Sequence, residues 1–158
     1  MIRAIFLDVD GTLISFSTHE IPASALRALA QAHERGVRLF IATGRAANDL
    51  GPLEGIPYDG VVSLNGARCV ANDGRVVSLH PIPRADFERA LALSEEQGFA
   101  MGLELEEGVF VNRVTPDVER VAHMVAHPVP EQTDLRELFG RVECCQLCFY
   151  FDAETQRR

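Results

Sequence analysis

Three short, largely apolar runs, Ile2 to Leu7, Val37 to Ala42 and Val61 to Leu64, each stop at a polar turn: Asp8-Val9-Asp10-Gly11-Thr12, Thr43-Gly44-Arg45 and Asn65-Gly66. Runs of this length suit strands, and an abrupt stop at acidic residues suits a buried strand reaching the end of its sheet. Between the first two lies a helical pattern opened by Pro22, with Leu26, Leu29, Ala30 and His33 on one stripe, Arg35 in its last turn and Gly36 beyond. After Arg45 the pattern predicts a short helix that Gly51-Pro52 closes. Strand, helix, strand, helix, strand with crossover-length connections implies parallel strands joined by right-handed crossovers. The expectation is half of a doubly wound, Rossmann-like α/β sheet with Ile2 to Leu7 as a central strand.

From Ala67 the pattern changes. RCVA and RVVSL flank Asn72-Asp73-Gly74, the turn chemistry of an antiparallel hairpin. A helix follows from Pro83 to Gly98, with Phe87, Ala90, Leu91 and Ser94 on one face. Strands are expected over Phe99 to Leu105, Val109 to Val114 and Cys144 to Phe151. Helices are expected over Pro116 to Ala126 and Leu135 to Phe139. The sequence therefore reads as a core half over residues 1–81 and an α+β module over residues 82–158, with two prolines between Leu79 and Pro83 suiting a hinge.

Composition removes several function classes. At 158 residues, 47% apolar and 24% charged, the chain has the values of a globular protein with room for one ordinary core. Fifteen basic against 23 acidic side chains give a net charge of -8, and the last basic pair, Arg157-Arg158, is the only basic run. Nucleic acid and anionic membrane are poor partners for such a surface. No lysine occurs, so lysine chemistry is closed to these 158 residues. AIFL near the start is too short for a signal or membrane segment, and four cysteines without a secretory signal read as reduced thiols; the expected location is the cytoplasm.

The chemistry gathers at the strand ends, where open α/β sheets place ligands. Asp8 and Asp10, two residues apart, can share a divalent cation and divide labour between nucleophile and general acid and base. A solvated strand end with turn-forming aspartates is the plain alternative. An EF-hand counted from Asp8 fails at Thr12, Leu13 and His19. Thr43-Gly44-Arg45 offers a hydroxyl and main-chain N–H groups to an anion at an expected helix start. Asn65-Gly66 alone is ordinary turn chemistry.

FLDVDGTL, IATGR and SLNGA, in this order, resemble the haloacid dehalogenase-like phosphatases of the Cof-type branch. The resemblance covers the whole sequence, with the α+β region similar to the start of that branch's inserted cap. It implies a Mg2+-dependent phosphatase of small phosphorylated metabolites, often sugar phosphates. Asp8 would be the nucleophile that forms an aspartyl phosphate and would ligate the metal. Asp10 would protonate the leaving group, activate water and ligate the metal through its carbonyl. Thr43 would bind the phosphoryl group, with Gly44, Arg45 and Asn65 as weaker carry-overs near the phosphate or the cap. The family's lysine and its distal aspartate motif have no counterpart, so the expected cap is incomplete, full activity needs a carboxyl-terminal core, and this chain by itself is expected to be inactive. Two other readings stand beside the phosphatase: a catalytically silent fragment or binding module, and a phosphomutase or phosphotransferase. Without the later strands of that fold, Ile2 to Leu7 should present an open edge prone to self-association.

Other signals carry less. Cys145 and Cys148 spell CxxC, but no partner motif completes a zinc site, and an apolar strand explains them. His123 and His127 are an i, i+4 pair without an acidic partner at zincin spacing. His33 reads as a packing residue on its helix, and Glu104, Glu106 and Glu107 as a solvated turn.

Overall fold

In a computed structural model of the chain, residues 2–53, 55–125 and 127–152 are described. The chain divides into two compact units, Met1–His80 and Pro81–Arg158. The end of the helix expected over Pro116 to Ala126, and the tail beyond Asp152 where the resemblance implies a further helix, lie outside the described residues.

The first unit is built on β1 (Ala4–Leu7), β2 (Arg38–Ala42), β3 (Gly60–Ser63), β4 (Arg68–Ala71) and β5 (Val76–Leu79), ordered β1-β2-β3-β4-β5 in one sheet. The first three are parallel, in a register that sets Leu7 beside Ile41 and Ile41 beside Val61. Their carboxyl ends therefore share one side of the sheet. The Asn72-Asp73-Gly74 hairpin is present but belongs to this sheet, since β4 pairs antiparallel with β3 as well as with β5. Helix α1 (Ala23–Glu34) buries Leu29 in a cluster with Val9, Leu13, Leu39, Ile41, Leu53 and Val61.

Three expectations for this unit are corrected. The first strand is not central and stands at the open edge expected without the later strands: among the described residues β1 pairs only with β2, Phe6 stacks on Phe40 at 4.9 Å and stays 62% exposed, and Ile2 is 71% exposed. His33 is more exposed than the boundary packing residue expected on its helix. It sits 3.6 Å from Asp59, whose carboxylate also accepts from Arg38 Nη1 and the Leu39 N–H, because a carboxylate at the start of the sheet must recruit donors when it is largely covered. No α-helix follows Arg45; turns and a 3-10 turn at Gly51–Leu53 take its place. The reason is a competition for acceptors. The Thr43 and Arg45 carbonyls, which would accept the first helical bonds, accept instead from Asn65 N and Leu64 N, each at 3.1 Å.

The second unit holds α2 (Arg84–Gln97), β6 (Ala100–Leu105), β7 (Gly108–Val111), α3 (Pro116–Met124), β8 (Glu131–Gln132), α4 (Leu135–Phe139) and β9 (Gln146–Tyr150). The sheet runs β8-β7-β6-β9, with β8 an unforeseen two-residue strand parallel to β7. Alternation along β6 and β9 sends Met101, Leu103 and Leu147 to a core with Phe87, Leu91 and Leu135 of α2 and α4. Ala100, Cys148 and Tyr150 turn the other way and pack with Val118 of α3.

Glu104 is not part of a solvated turn. It lies in β6, half-buried, bonded to the Gln146 carboxamide and facing Cys148 Sγ at 3.4 Å, while Glu106 and Glu107 form the turn. Register explains this: Glu104 pairs directly with Gln146 and shares a sheet face with it. Burial first, and then Glu104, push the Cys148 thiol up to about 12, and burial pushes Cys144 up to about 11, so both stay protonated at neutral pH.

One polar knot bolts α2 to the sheet. Ser94, fully buried, donates to the Phe99 carbonyl at 2.7 Å and accepts from Asn112 Nδ2 at 3.0 Å, while Asn112 Oδ1 takes the Met101 N–H at 2.9 Å. Ser94→Ala strands a carbonyl and an amide donor at once, so it should cost about 1–3 kcal/mol in denaturant unfolding. A loss near zero would mean that water reaches and satisfies both groups.

Candidate active site

Asp8 begins where β1 ends. The chain turns at once: Leu13 N donates to Asp8 O at 3.3 Å, Ile14 N to Val9 O at 2.8 Å and Gly11 N to Ile14 O at 2.8 Å. Val9, Leu13 and Ile14 are buried by this turn, which leaves Asp8, Asp10, Gly11 and Thr12 exposed on its outer side. Gly11 is required by its backbone, whose φ is +79°; a Cβ there would also lie 2.5 Å from the ring of Phe16, an exposed side chain that would have to swing aside. Thr12 Oγ1 donates to Asp8 Oδ2 at 3.0 Å and so orients the carboxylate.

Asp10 is held differently. Arg45, at the end of β2, grips it with two bonds, Nε to Oδ2 at 2.9 Å and Nη2 to Oδ1 at 2.8 Å. The guanidinium's remaining arm, Nη1, reaches the Asp49 carbonyl at 3.2 Å and its carboxylate at 3.5 Å. This fork geometry is the strong form of an arginine–carboxylate contact. Hydrogen bonding to Arg45 is the largest influence on Asp10 and, with the charge of Arg45, holds its carboxyl below the ordinary value against the opposing effect of burial; Arg45 is raised in return.

Thr43 is buried next to the β3 strand end, its N–H donating to Val62 O at 2.9 Å and its Oγ1 accepting from Arg45 N at 3.1 Å. Asn65, in a left-handed conformation with φ of 54°, lays its carboxamide against Gly44. The six residues singled out in the sequence thus fall into three sets. Asp10 and Arg45 are in direct contact, Thr43, Gly44 and Asn65 form one loop pair, and Asp8 pairs with Thr12.

Two participants were missed by sequence reading. Thr12 stands four residues after Asp8, and Asp49 four after Arg45, spacings that carry no signal unless the turn between them is known. Among the described residues, no group of three His, Cys, Asp or Glu side chains is placed to hold a metal ion. Asp8 and Asp10 are hard oxygen donors suited in kind to Mg2+, but too few in number to bind it tightly.

The Asp10–Arg45 pair makes stability pH-dependent. A depressed folded-state value contributes stability that is present above the unfolded carboxyl value of about 3.9 and is lost as pH falls through the lower folded one. In Arg45→Met the part of the acid loss due to Asp10 should vanish, read as a smaller fall in melting temperature between pH 5 and pH 3. An unchanged acid profile would show that the pair contributes nothing in solution.

The haloacid dehalogenase-like hydrolase family model matches residues 5–157. Among solved structures, a Bacteroides thetaiotaomicron protein described among phosphatases of the haloalkanoate enzyme superfamily is 54% identical with a TM-score of 0.93, over 99% of this chain and 59% of that one. A sugar phosphatase of subclass IIB is 29% identical with a TM-score of 0.83, over 98% of this chain and 61% of that one. The Bacillus subtilis protein YkrA, which carries a phosphatase name, is 30% identical over 95 residues, 60% of this chain and 36% of its own length. The chain thus spans about three fifths of the length of these solved relatives. With the family match over nearly its whole length and DVDGT and TGR at adjacent parallel strand ends, the chain belongs to the haloacid dehalogenase-like hydrolases.

Proposed function

We propose that this chain carries the nucleophile half of a Mg2+-dependent phosphatase acting in the cytoplasm on small phosphorylated metabolites, sugar phosphates above all. The observation that carries the reading is the meeting of Asp10 and Arg45 across the ends of β1 and β2, beside Asp8 and Thr43. Residues 1–81 would serve as the core half and residues 82–158 as the start of a cap.

In this reading Asp8, oriented by Thr12, attacks phosphorus and forms an aspartyl phosphate, and the leaving oxygen takes a proton from Asp10. Asp10 then returns as the base that activates water. Thr43 Oγ1 and the main chain around Gly44 receive the phosphoryl oxygens, with Arg45 and Asn65 at their side. Asp8 and the Asp10 main-chain carbonyl would hold Mg2+, which supplies charge compensation to the transferring group. Arg45 favours the charged form of Asp10, which leaves it no proton to donate while the contact lasts and also weakens it as a base. Proton donation therefore requires Arg45 to loosen its grip when substrate binds.

A second reading, a catalytically silent module, has its own support: among the described residues no third acidic, His or Cys side chain joins Asp8 and Asp10 in a metal site, and no lysine occurs in the sequence. Activity separates the two. In a polypeptide as long as the solved relatives and containing this sequence, an aryl phosphate should be hydrolysed with Mg2+. Asp8→Asn should abolish turnover, and Asp10→Asn should lower it by about 10²–10⁴. Wild-type rates in Asp8→Asn would remove the nucleophile assignment. The 158-residue chain by itself should bind Mg2+ weakly in calorimetric titration and show little turnover. Tight binding with multiple turnover in a pure sample would overturn the dependence on a further core half.

The open edge of β1 leads to a proposal about assembly. With Phe6 and Ile2 exposed on a strand that among the described residues pairs only with β2, two copies of the chain pair through its other edge. Sedimentation should show concentration-dependent association that Phe6→Lys weakens. A monomer at all concentrations, with β1 amides protected from hydrogen exchange, would rule it out.

A further inference from the structure

Leu64, Asn65 and Gly66 adopt left-handed backbone conformations in succession, with φ of 49°, 54° and 96°. For glycine this is ordinary and for asparagine tolerable, but a buried leucine is held there only when its surroundings over-determine it. The constraint is visible. Leu64 N donates to Arg45 O and Asn65 N donates to Thr43 O, so the turn grips the two carbonyls that flank Gly44. The Asn65 carboxamide then lies where a side chain at Gly44 would be: a Cβ there would come within 3.2 Å of Oδ1 and 3.3 Å of Nδ2.

Asn65 is exposed, so filling a core is not its task. What it does fill is the space over Gly44, between a buried Thr43 and an Arg45 committed to Asp10. We propose that Asn65 is a positioning residue, which acts on the phosphoryl group through Gly44, by fixing the main chain between Thr43 and Arg45. This inference rests on the phosphoryl-binding reading of the Thr43–Arg45 loop given above. It assigns the glycine and the asparagine a joint role: the absent side chain at Gly44 is the socket, and the carboxamide is its occupant.

The joint role predicts coupling. Asn65→Gly keeps the left-handed backbone and removes only the carboxamide, whereas Gly44→Ala keeps the carboxamide and displaces it. The 158-residue chain, labelled with nitrogen-15, is titrated with inorganic phosphate in magnesium buffer, following the amide resonances of Thr43, Gly44 and Arg45, with thermal unfolding measured alongside. Each single variant should weaken phosphate binding by about fivefold or more, with the melting temperature moved by no more than about 3 °C. The double variant should bind no worse than either single one, because both changes empty the same contact. Before phosphate is added, Asn65→Gly should already shift the Gly44 and Arg45 amides. Phosphate affinity unchanged in Asn65→Gly, or losses that multiply in the double variant, would overturn the positioning role while leaving the phosphate site intact. A wild-type chain with no saturable response at Thr43–Arg45 would instead remove the phosphoryl-binding reading, and the proposal with it.

Discussion

The parallel register of β1, β2 and β3 is the constraint on which the site depends. Parallel strands put their carboxyl ends on one side, and the pairing of Leu7, Ile41 and Val61 brings the three ends level. Each turn then starts one to three residues later, so Asp8, Thr43 and Leu64 emerge as neighbours although 35 and 21 residues separate them along the chain. A slip of one residue in β1 would move Ile5 and Leu7 out of the buried face and carry Asp8 with them. Core packing and site geometry are therefore set by the same hydrogen-bond ladder.

Much of this was legible because it is local. Pro22 and Gly36 bound α1, Gly98 at φ of 79° ends α2, and Asn72-Asp73-Gly74 turns the hairpin, each through the conformational limits of its own residues. The site motifs were legible for the same reason, since strand ends followed by glycine turns are short-range features. The errors share the opposite cause. The helix expected after Arg45 is undone by Leu64 and Asn65, about twenty residues on, whose N–H groups occupy its first acceptors. Glu104 leaves the solvent because β9, some forty residues later, sets Gln146 beside it. His33 meets Asp59 only once β2 and β3 are paired.

The Asp10–Arg45 contact was invisible for that reason too, and it changes the chemistry assigned to Asp10. A carboxylate in a bidentate fork is held deprotonated, so it has no proton to donate until the fork opens, and its lowered pKa makes it a weaker base as well. An unpaired Asp10 would carry its proton more easily but would lose its orientation, since no other fixed donor to its carboxylate is seen among the described contacts. The arrangement favours orientation. In the proposed phosphatase reading, a substrate phosphate competing for the same guanidinium would loosen Asp10 at the moment its proton is needed.

Charge balance then decides what must arrive first. Arg45 is bonded to both Asp10 and Asp49, and Asp8 adds a third carboxylate in the same β1 turn. A phosphate dianion approaching this face meets net repulsion, partly screened by water and salt but strongest at the contact distance where attack must occur. The main-chain N–H groups near Thr43 offset only part of it, because no helix begins there to add its dipole. The same excess of carboxylate attracts a divalent cation, even if two side chains hold it loosely. In the phosphatase reading proposed above, electrostatics would order binding: a cation that neutralises Asp8 would let phosphate draw on Arg45 and Thr43, which by themselves offer it little positive charge.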